Sequence, residues 1–125
     1  MKKLVILFIT SVFILSACNT SSSNNETELK VIEVDLSGSS YKPSGEESII
    51  QALVTQGEEK VTDAKVNFEI WKDGDKDHEM VEGDNIGKGI YTMNKTFDRK
   101  GSYNVIVHTY AKDMHIMPKV QFQIN

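Results

Sequence analysis

Apolar and polar residues alternate along much of the chain, and this alternation limits the folds that the chain can adopt. The alternating segments lie at positions 31–36, 66–71, 103–107 and 120–124. A period of two places the apolar side chains on one face of an extended strand. Turns containing Gly or Asp, at positions 73–74, 87–89 and 98–101, separate such segments. The pattern predicts an all-β domain of short strands, which is typical of a β-sandwich.

The segment at positions 46–54 fits two kinds of secondary structure. Four apolar residues between positions 49 and 54 have a helical spacing, whereas the β-branched residues and Gly57 favour a strand. We interpret it as a strand, which with strands at 78–82 and 90–97 gives about seven strands. Asp98-Arg99-Lys100-Gly101-Ser102-Tyr103 also resembles the tyrosine corner of immunoglobulin-like folds, where the phenol hydroxyl bonds back to the preceding turn. The predicted fold is an immunoglobulin-like (cupredoxin-like) β-sandwich.

The N-terminus has the features of a bacterial lipoprotein. Lys2 and Lys3 precede an apolar stretch at 4–15, which is shorter than the ~20 residues that span a bilayer but fits a signal peptide. Leu15-Ser16-Ala17-Cys18 matches the lipobox, whose cysteine receives a diacylglyceryl group. The alternatives are a secretory signal with a chance cysteine and a permanent signal anchor. We expect residues 1–17 to be a signal peptide and Cys18 to anchor the protein to the extracytoplasmic face of the cell membrane.

The rest of the chain divides into a tether and one small domain. Residues 19–27 include no apolar residue, so we interpret 18–28 as the lipidated cysteine with a disordered tether, and 29–125 as the domain. Without Lys2 and Lys3, 12 basic residues face 18 acidic ones, a net charge of −6 with no basic patch for nucleic acid. No nucleophilic cysteine, HExxH motif, phosphate loop or convincing triad is present, so we do not expect an enzyme.

A histidine and a methionine two residues apart occur twice in the C-terminal half of the domain. The pairs are His78-Glu79-Met80 and His115-Ile116-Met117. In a strand, residues i and i+2 point to the same side about 6.5–7 Å apart. An imidazole and a flexible thioether at that spacing can close on one metal ion. Thioethers are soft ligands that select Cu(I), and the set is poor for zinc, so the pairs predict a copper site.

The second pair resembles part of a known copper-binding pattern. Met93 is followed by 21 residues and then by His115-Ile116-Met117. This spacing is similar to the second half of the motif in PCuAC-type periplasmic copper chaperones. The first half of that motif is displaced, because Met80 precedes Met93 by 12 intervening residues and His78 precedes it by 14. The resemblance leaves the fourth ligand open.

A broader resemblance covers most of the domain. The segments at 63–71, 89–91, 101–103 and 108–118 are similar to the YtkA-like lipoprotein family, and 108–118 resembles its closing His…Met-His-x-Met-Pro segment. That family is linked to copper delivery for the CuA centre of cytochrome c oxidase. The resemblance implies a membrane-anchored Cu(I)-binding chaperone with a membrane oxidase subunit as its recipient. The candidate metal ligands are His115, Met117, Met80, Met93, His108 and His78.

Each weaker candidate has a simpler explanation. Met93 has the same parity as the aromatic residues at 91 and 97, so it could belong to the core. His108 could be a solvent-facing strand residue, and His78 could be an exposed residue of a charged turn. For the whole protein, one alternative is an immunoglobulin-like surface binding module with no metal role. Another is a copper sink, which the sequence does not distinguish from a delivery protein.

Overall fold

A computed structural model describes residues 30–125, so the predicted signal peptide, Cys18 and the whole predicted tether lie outside the described residues. Within the described range the chain forms ten β-strands and no helix. The strands are β1 (Ile32–Asp35), β2 (Glu47–Gln56), β3 (Glu59–Lys60), β4 (Lys65–Lys72), β5 (Glu79–Glu82), β6 (Asp84–Gly87), β7 (Ile90–Thr96), β8 (Gly101–Ala111), β9 (Met114–Ile116) and β10 (Lys119–Ile124). The described part therefore holds no helix that could cross a membrane.

The strands form two antiparallel sheets. The first sheet has the order β1-β2-β7-β6, with β3 paired to β2. The second sheet has the order β10-β8-β4-β5, with β9 paired to β8. Two antiparallel sheets with a shared apolar interior make a β-sandwich, which confirms the predicted fold class.

The core lies between the sheets and is built from the alternating residues. Val66, Phe68 and Ile70 of β4 are buried, as are Val105 and Val107 of β8. Their neighbours along each strand face outward, as a period of two requires. The ambiguous segment at 46–54 is the strand β2, and its buried residues alternate with more exposed ones. Burial of alternate side chains outweighs the helical spacing there.

The strand count differs from the prediction of about seven. Seven of the ten strands correspond to the predicted segments, and the three others are β3, β6 and β9. These three have only two to four residues each. Strands this short show too few alternations for the pattern to mark them. Pairing with a longer neighbour defines them instead: β3 pairs with β2, β6 with β7, and β9 with β8.

The predicted tyrosine corner is present at the start of β8. The Tyr103 hydroxyl donates a hydrogen bond of 2.7 Å to the carbonyl oxygen of Arg99. The Tyr103 ring packs edge-on against Phe97, with 4.6 Å between the ring centroids. Together, the hydrogen bond and the ring contact connect the turn before β8 to the core.

The strands β9 and β10 pair with the same edge of β8, one after the other, in one continuous register. Thr109 pairs with Ile116, and Ile106 pairs with Lys119, so the two short strands follow the same alignment along β8. The ladder is interrupted at positions 117–118, where proline supplies no backbone N–H. The N–H of Val107 still donates to the carbonyl oxygen of Pro118 over 2.9 Å. The shared register places Met117 beside His108.

Candidate metal centre

The outer face of the second sheet carries most of the candidate ligands. Val107 and Thr109 of β8 are buried, so His108 between them has the opposite parity and lies on the outer face. Glu69 of β4 pairs with Ile106 of β8 on one side and with Met80 of β5 on the other. Positions 69, 80, 106 and 108 therefore share this face, which we call the outer face below.

Glu69 holds two histidines on the outer face. Its Oε1 atom lies 2.9 Å from Nε2 of His108, and its Oε2 atom lies 2.9 Å from Nδ1 of His78. The side chains of Glu69 and His108 are largely shielded from solvent, with 19% and 12% exposed. Hydrogen bonds from His78 and then His108 hold the pKa of the Glu69 carboxyl below its usual value of 4.5. Glu69 is therefore ionised at neutral pH.

Three of the candidates form a group beside β8. The imidazole rings of His108 and His115 have centroids 5.8 Å apart and planes inclined by 28°. His115 also stacks on Tyr110, at 4.0 Å between centroids. Met117 lies beside His108 by register, and its side chain is half exposed. His115 belongs to the strand β9, and Met117 lies in the break between β9 and β10.

The spacing within this group suits one small ion. Bonds between a metal and imidazole nitrogen are ~2.0–2.1 Å long, so two nitrogens on one ion lie up to about 4 Å apart. Ring centroids 5.8 Å apart are compatible with that separation after small rotations of the side chains. Directly opposed side chains on paired strands have Cβ atoms about 4.5–5.5 Å apart, which brings the Met117 thioether within reach of the same ion.

The other two outer-face candidates form a second group, beside β5. His78 stacks on Trp71, with centroids 3.9 Å apart and planes inclined by 6°. Met80 is more than half exposed. Because neighbouring strands lie about 4.7–4.9 Å apart, β5 is about 10 Å from β8, with β4 between them. The six candidates therefore do not converge on one centre, and the two groups are separated by Glu69.

Met93 lies away from both groups. It is 2% exposed, pairs with Ile50 across the first sheet and belongs to the core cluster. The inward parity of β7, which also buries Tyr91, accounts for this position. Met93 therefore lies in the core, apart from the other candidate ligands, which is the position of its alternative interpretation as a core residue.

The group beside β8 offers two imidazoles and one thioether as donors. Within residues 30–125, no three His, Cys, Asp or Glu side chains are placed to hold one metal ion. A metal ion held by all three members of this group would have a thioether ligand in addition to imidazole. That combination favours Cu(I) over zinc.

Two features of the site were not predicted from the sequence. Glu69 alternates with buried Phe68 and Ile70, which marks it as outward-facing, but nothing local indicates that it meets two histidines. Trp71 has the same outward parity and contacts His78. These contacts depend on which strands neighbour β4. The sequence carries no local signal for that pairing.

The described residues thus form a small β-sandwich domain with histidine and methionine side chains on one outer face. The model of the YtkA-like family matches residues 26–108, about two thirds of the chain, and the chain belongs to this family. The match includes His78, Met80 and His108 and ends before His115 and Met117. No curated protein and no solved structure matches the sequence.

Proposed function

We propose that this protein is an extracytoplasmic Cu(I)-binding chaperone whose ion is held by His108, His115 and Met117. The observation that carries the proposal is the proximity of the His108 and His115 rings on the outer face, with Met117 opposite His108 in the register of the strands. Two imidazoles and one thioether form a soft donor set that favours Cu(I). A thiol-free site also suits an oxidising compartment, where cysteines are lost to disulfides.

The position of the site supports transfer of the ion to another protein. The Met117 side chain is half exposed, so a bound ion would remain accessible to ligands of a partner. Lipidation at Cys18 would keep the domain at the membrane surface, close to membrane-bound oxidases. We propose the CuA centre of cytochrome c oxidase as the destination, in line with the resemblance that the sequence shows. In this role the protein binds and releases copper and catalyses no reaction.

A competitive titration tests the copper site. The full-length protein in detergent is titrated with Cu(I) against a chromophoric chelator, and the double variant His115→Ala, Met117→Ala is compared with Met80→Ala. Met80 is the matched control because it is a methionine of similar exposure on the same face, in the other group. We expect the double variant to lose tight binding and Met80→Ala to retain it. Equal affinities for wild type and the double variant would refute the site.

One observation favours the alternative of a binding module without metal. An apolar groove lies between β1 and the edge formed by β9 and β10, lined by Ile32, Val34, Leu36, Ile116 and Val120 among others. Such a groove could receive a segment of another surface protein. In that case wild-type protein would bind Cu(I) no more tightly than the double variant does, whereas substitutions in the groove would impair its cellular role.

A further inference from the structure

Glu69 is the one described acidic residue that contacts two of the candidate ligands. Its two carboxylate oxygens accept from rings on different strand segments, His108 in β8 and His78 just before β5. An ionised carboxylate offers only acceptors. Both facing ring nitrogens must therefore carry the proton, Nε2 in His108 and Nδ1 in His78.

These protonation sites determine which nitrogens remain free. With Nε2–H of His108 bound to Glu69, the lone pair of that ring is on Nδ1. In His78 the free lone pair is on Nε2. Metal-bound histidines usually donate their other N–H to a carboxylate or carbonyl, which orients the ring and raises its basicity. Glu69 supplies this partner before any metal is present.

We infer that Glu69 is a positioning residue of the copper site, which holds His108 in the Nε2–H tautomer so that Nδ1 is the ligand atom. This inference rests on the proposed function and deepens it. Glu69 itself does not bind the ion. The same carboxylate also accepts a hydrogen bond from His78, so hydrogen bonds through Glu69 link the group beside β8 to the group beside β5.

The tautomers can be measured directly in the metal-free protein. Full-length protein with 15N-labelled histidine is studied in detergent by long-range proton–nitrogen correlation at pH 7.5, as wild type, Glu69→Ala and Glu82→Ala. Glu82 is the matched control, since it is an exposed acidic residue of β5 on the same face and contacts no histidine among the described residues. We expect His108 to be Nε2–H in wild type and in Glu82→Ala, and a mixture of tautomers in Glu69→Ala.

Copper affinity gives the second measurement. Loss of such an outer partner typically weakens metal binding about 10–100-fold. We expect that loss for Glu69→Ala and a change of less than about 3-fold for Glu82→Ala. Glu69→Gln serves if the alanine variant does not fold, because its amide keeps one acceptor oxygen in place of two. At least one of the two histidines should then change tautomer.

The outcomes separate this inference from the proposed function. Wild-type protein that fails to bind Cu(I) tightly overturns the proposed function and, with it, the role of Glu69 at a metal site. Tight wild-type binding with equal affinities for the Glu69 and Glu82 variants overturns the role of Glu69 alone. The Nδ1–H tautomer of His108 in wild type would overturn it as well.

Discussion

At the scale of single residues, solvent exposure distinguishes the methionines. Met80 and Met117 are 57% and 51% exposed, whereas Met93 is 2% exposed. The paired positions of His115 with Met117, and of His78 with Met80, were predictable because residues two apart share a face of a strand. The location of Met93 was not predictable, because its parity along the strand fitted both a ligand and a core residue.

The exposure difference predicts the order of oxidation by peroxide. Accessible thioethers are converted to sulfoxides more readily than buried ones. We expect Met80 and Met117 to be oxidised well before Met93, as measured by mass spectrometry of peptides over time. Ag(I), a redox-inactive analogue of Cu(I), should protect Met117 much more than Met80. Equal protection of the two would contradict the assignment of Met117 to the main site.

Burial of Met93 predicts a cost in stability without an effect on copper. Met93→Ala should lower the free energy of unfolding by about 2–5 kcal/mol, because it leaves a cavity among packed side chains. Urea denaturation measures this change, and Met80→Ala provides the exposed control. Copper affinity of the folded variant should equal that of wild type. A large loss of affinity with unchanged stability would instead make Met93 a ligand.

Histidine ligation predicts that copper binding depends on pH. A metal-bound imidazole must be unprotonated, and imidazole side chains have a reference pKa of about 6.5. Thioethers do not titrate in this range. Protons therefore compete with Cu(I) for the imidazole nitrogens, and the affinity should fall as the pH is lowered from 7.5 to 5. An affinity that stays constant over this range would exclude histidine ligands.

At the scale of strands and turns, long elements were predictable and short ones were not. The segments that became β4, β8 and β10 show clear alternation, and each has the expected buried face. By contrast, β9 has three residues and is defined by its pairing with β8. The site depends on that pairing, because it brings His115 beside Tyr110 and sets Met117 beside His108. Register between distant strands leaves no trace in a local pattern.

The tyrosine corner gives a prediction at this scale. Tyr103→Phe removes the hydrogen bond to the Arg99 carbonyl but keeps the ring that packs on Phe97 and Phe122. We expect the free energy of unfolding to fall by about 0.5–1.5 kcal/mol, the usual net value of such a bond. Thermal or urea unfolding measures it, with Tyr110→Phe, on the outer face, as the control. An unchanged stability would mean that the turn is held by other contacts.

At the scale of the whole molecule, the inward-facing and outward-facing residues of the sandwich have different roles. Residues facing inward hold the sheets together, and outward residues of the second sheet carry the candidate chemistry. The alternating pattern predicted this division and the fold class. It did not predict that the candidate ligands would split into two groups, since that depends on the strand order β8-β4-β5. The family match covers residues 26–108, which include β1 to β7, most of β8 and the first of the two His–Met pairs.

Anchoring is tested on the whole chain. Cys18 is the one cysteine in the sequence, so it is the one possible site of thioether-linked lipid. Cys18→Ala should leave the protein without lipid, either as an uncleaved precursor or as a form released from the membrane. Cell fractionation and metabolic labelling with a fatty acid measure the change. Continued labelling of the variant would disprove the lipoprotein assignment.

The strand scaffold beneath His108, His115 and Met117 has a kinetic consequence. Backbone hydrogen bonds of β8 and β9 keep the two imidazoles at a set spacing, while the thioether stands half exposed at the break before β10. If Cu(I) is held there as proposed, a ligand of a partner protein could contact the ion before Met117 dissociates from it. Transfer of this kind needs no opening of the domain. Its observed rate should rise linearly with acceptor concentration, without the plateau that a slow unimolecular release would impose.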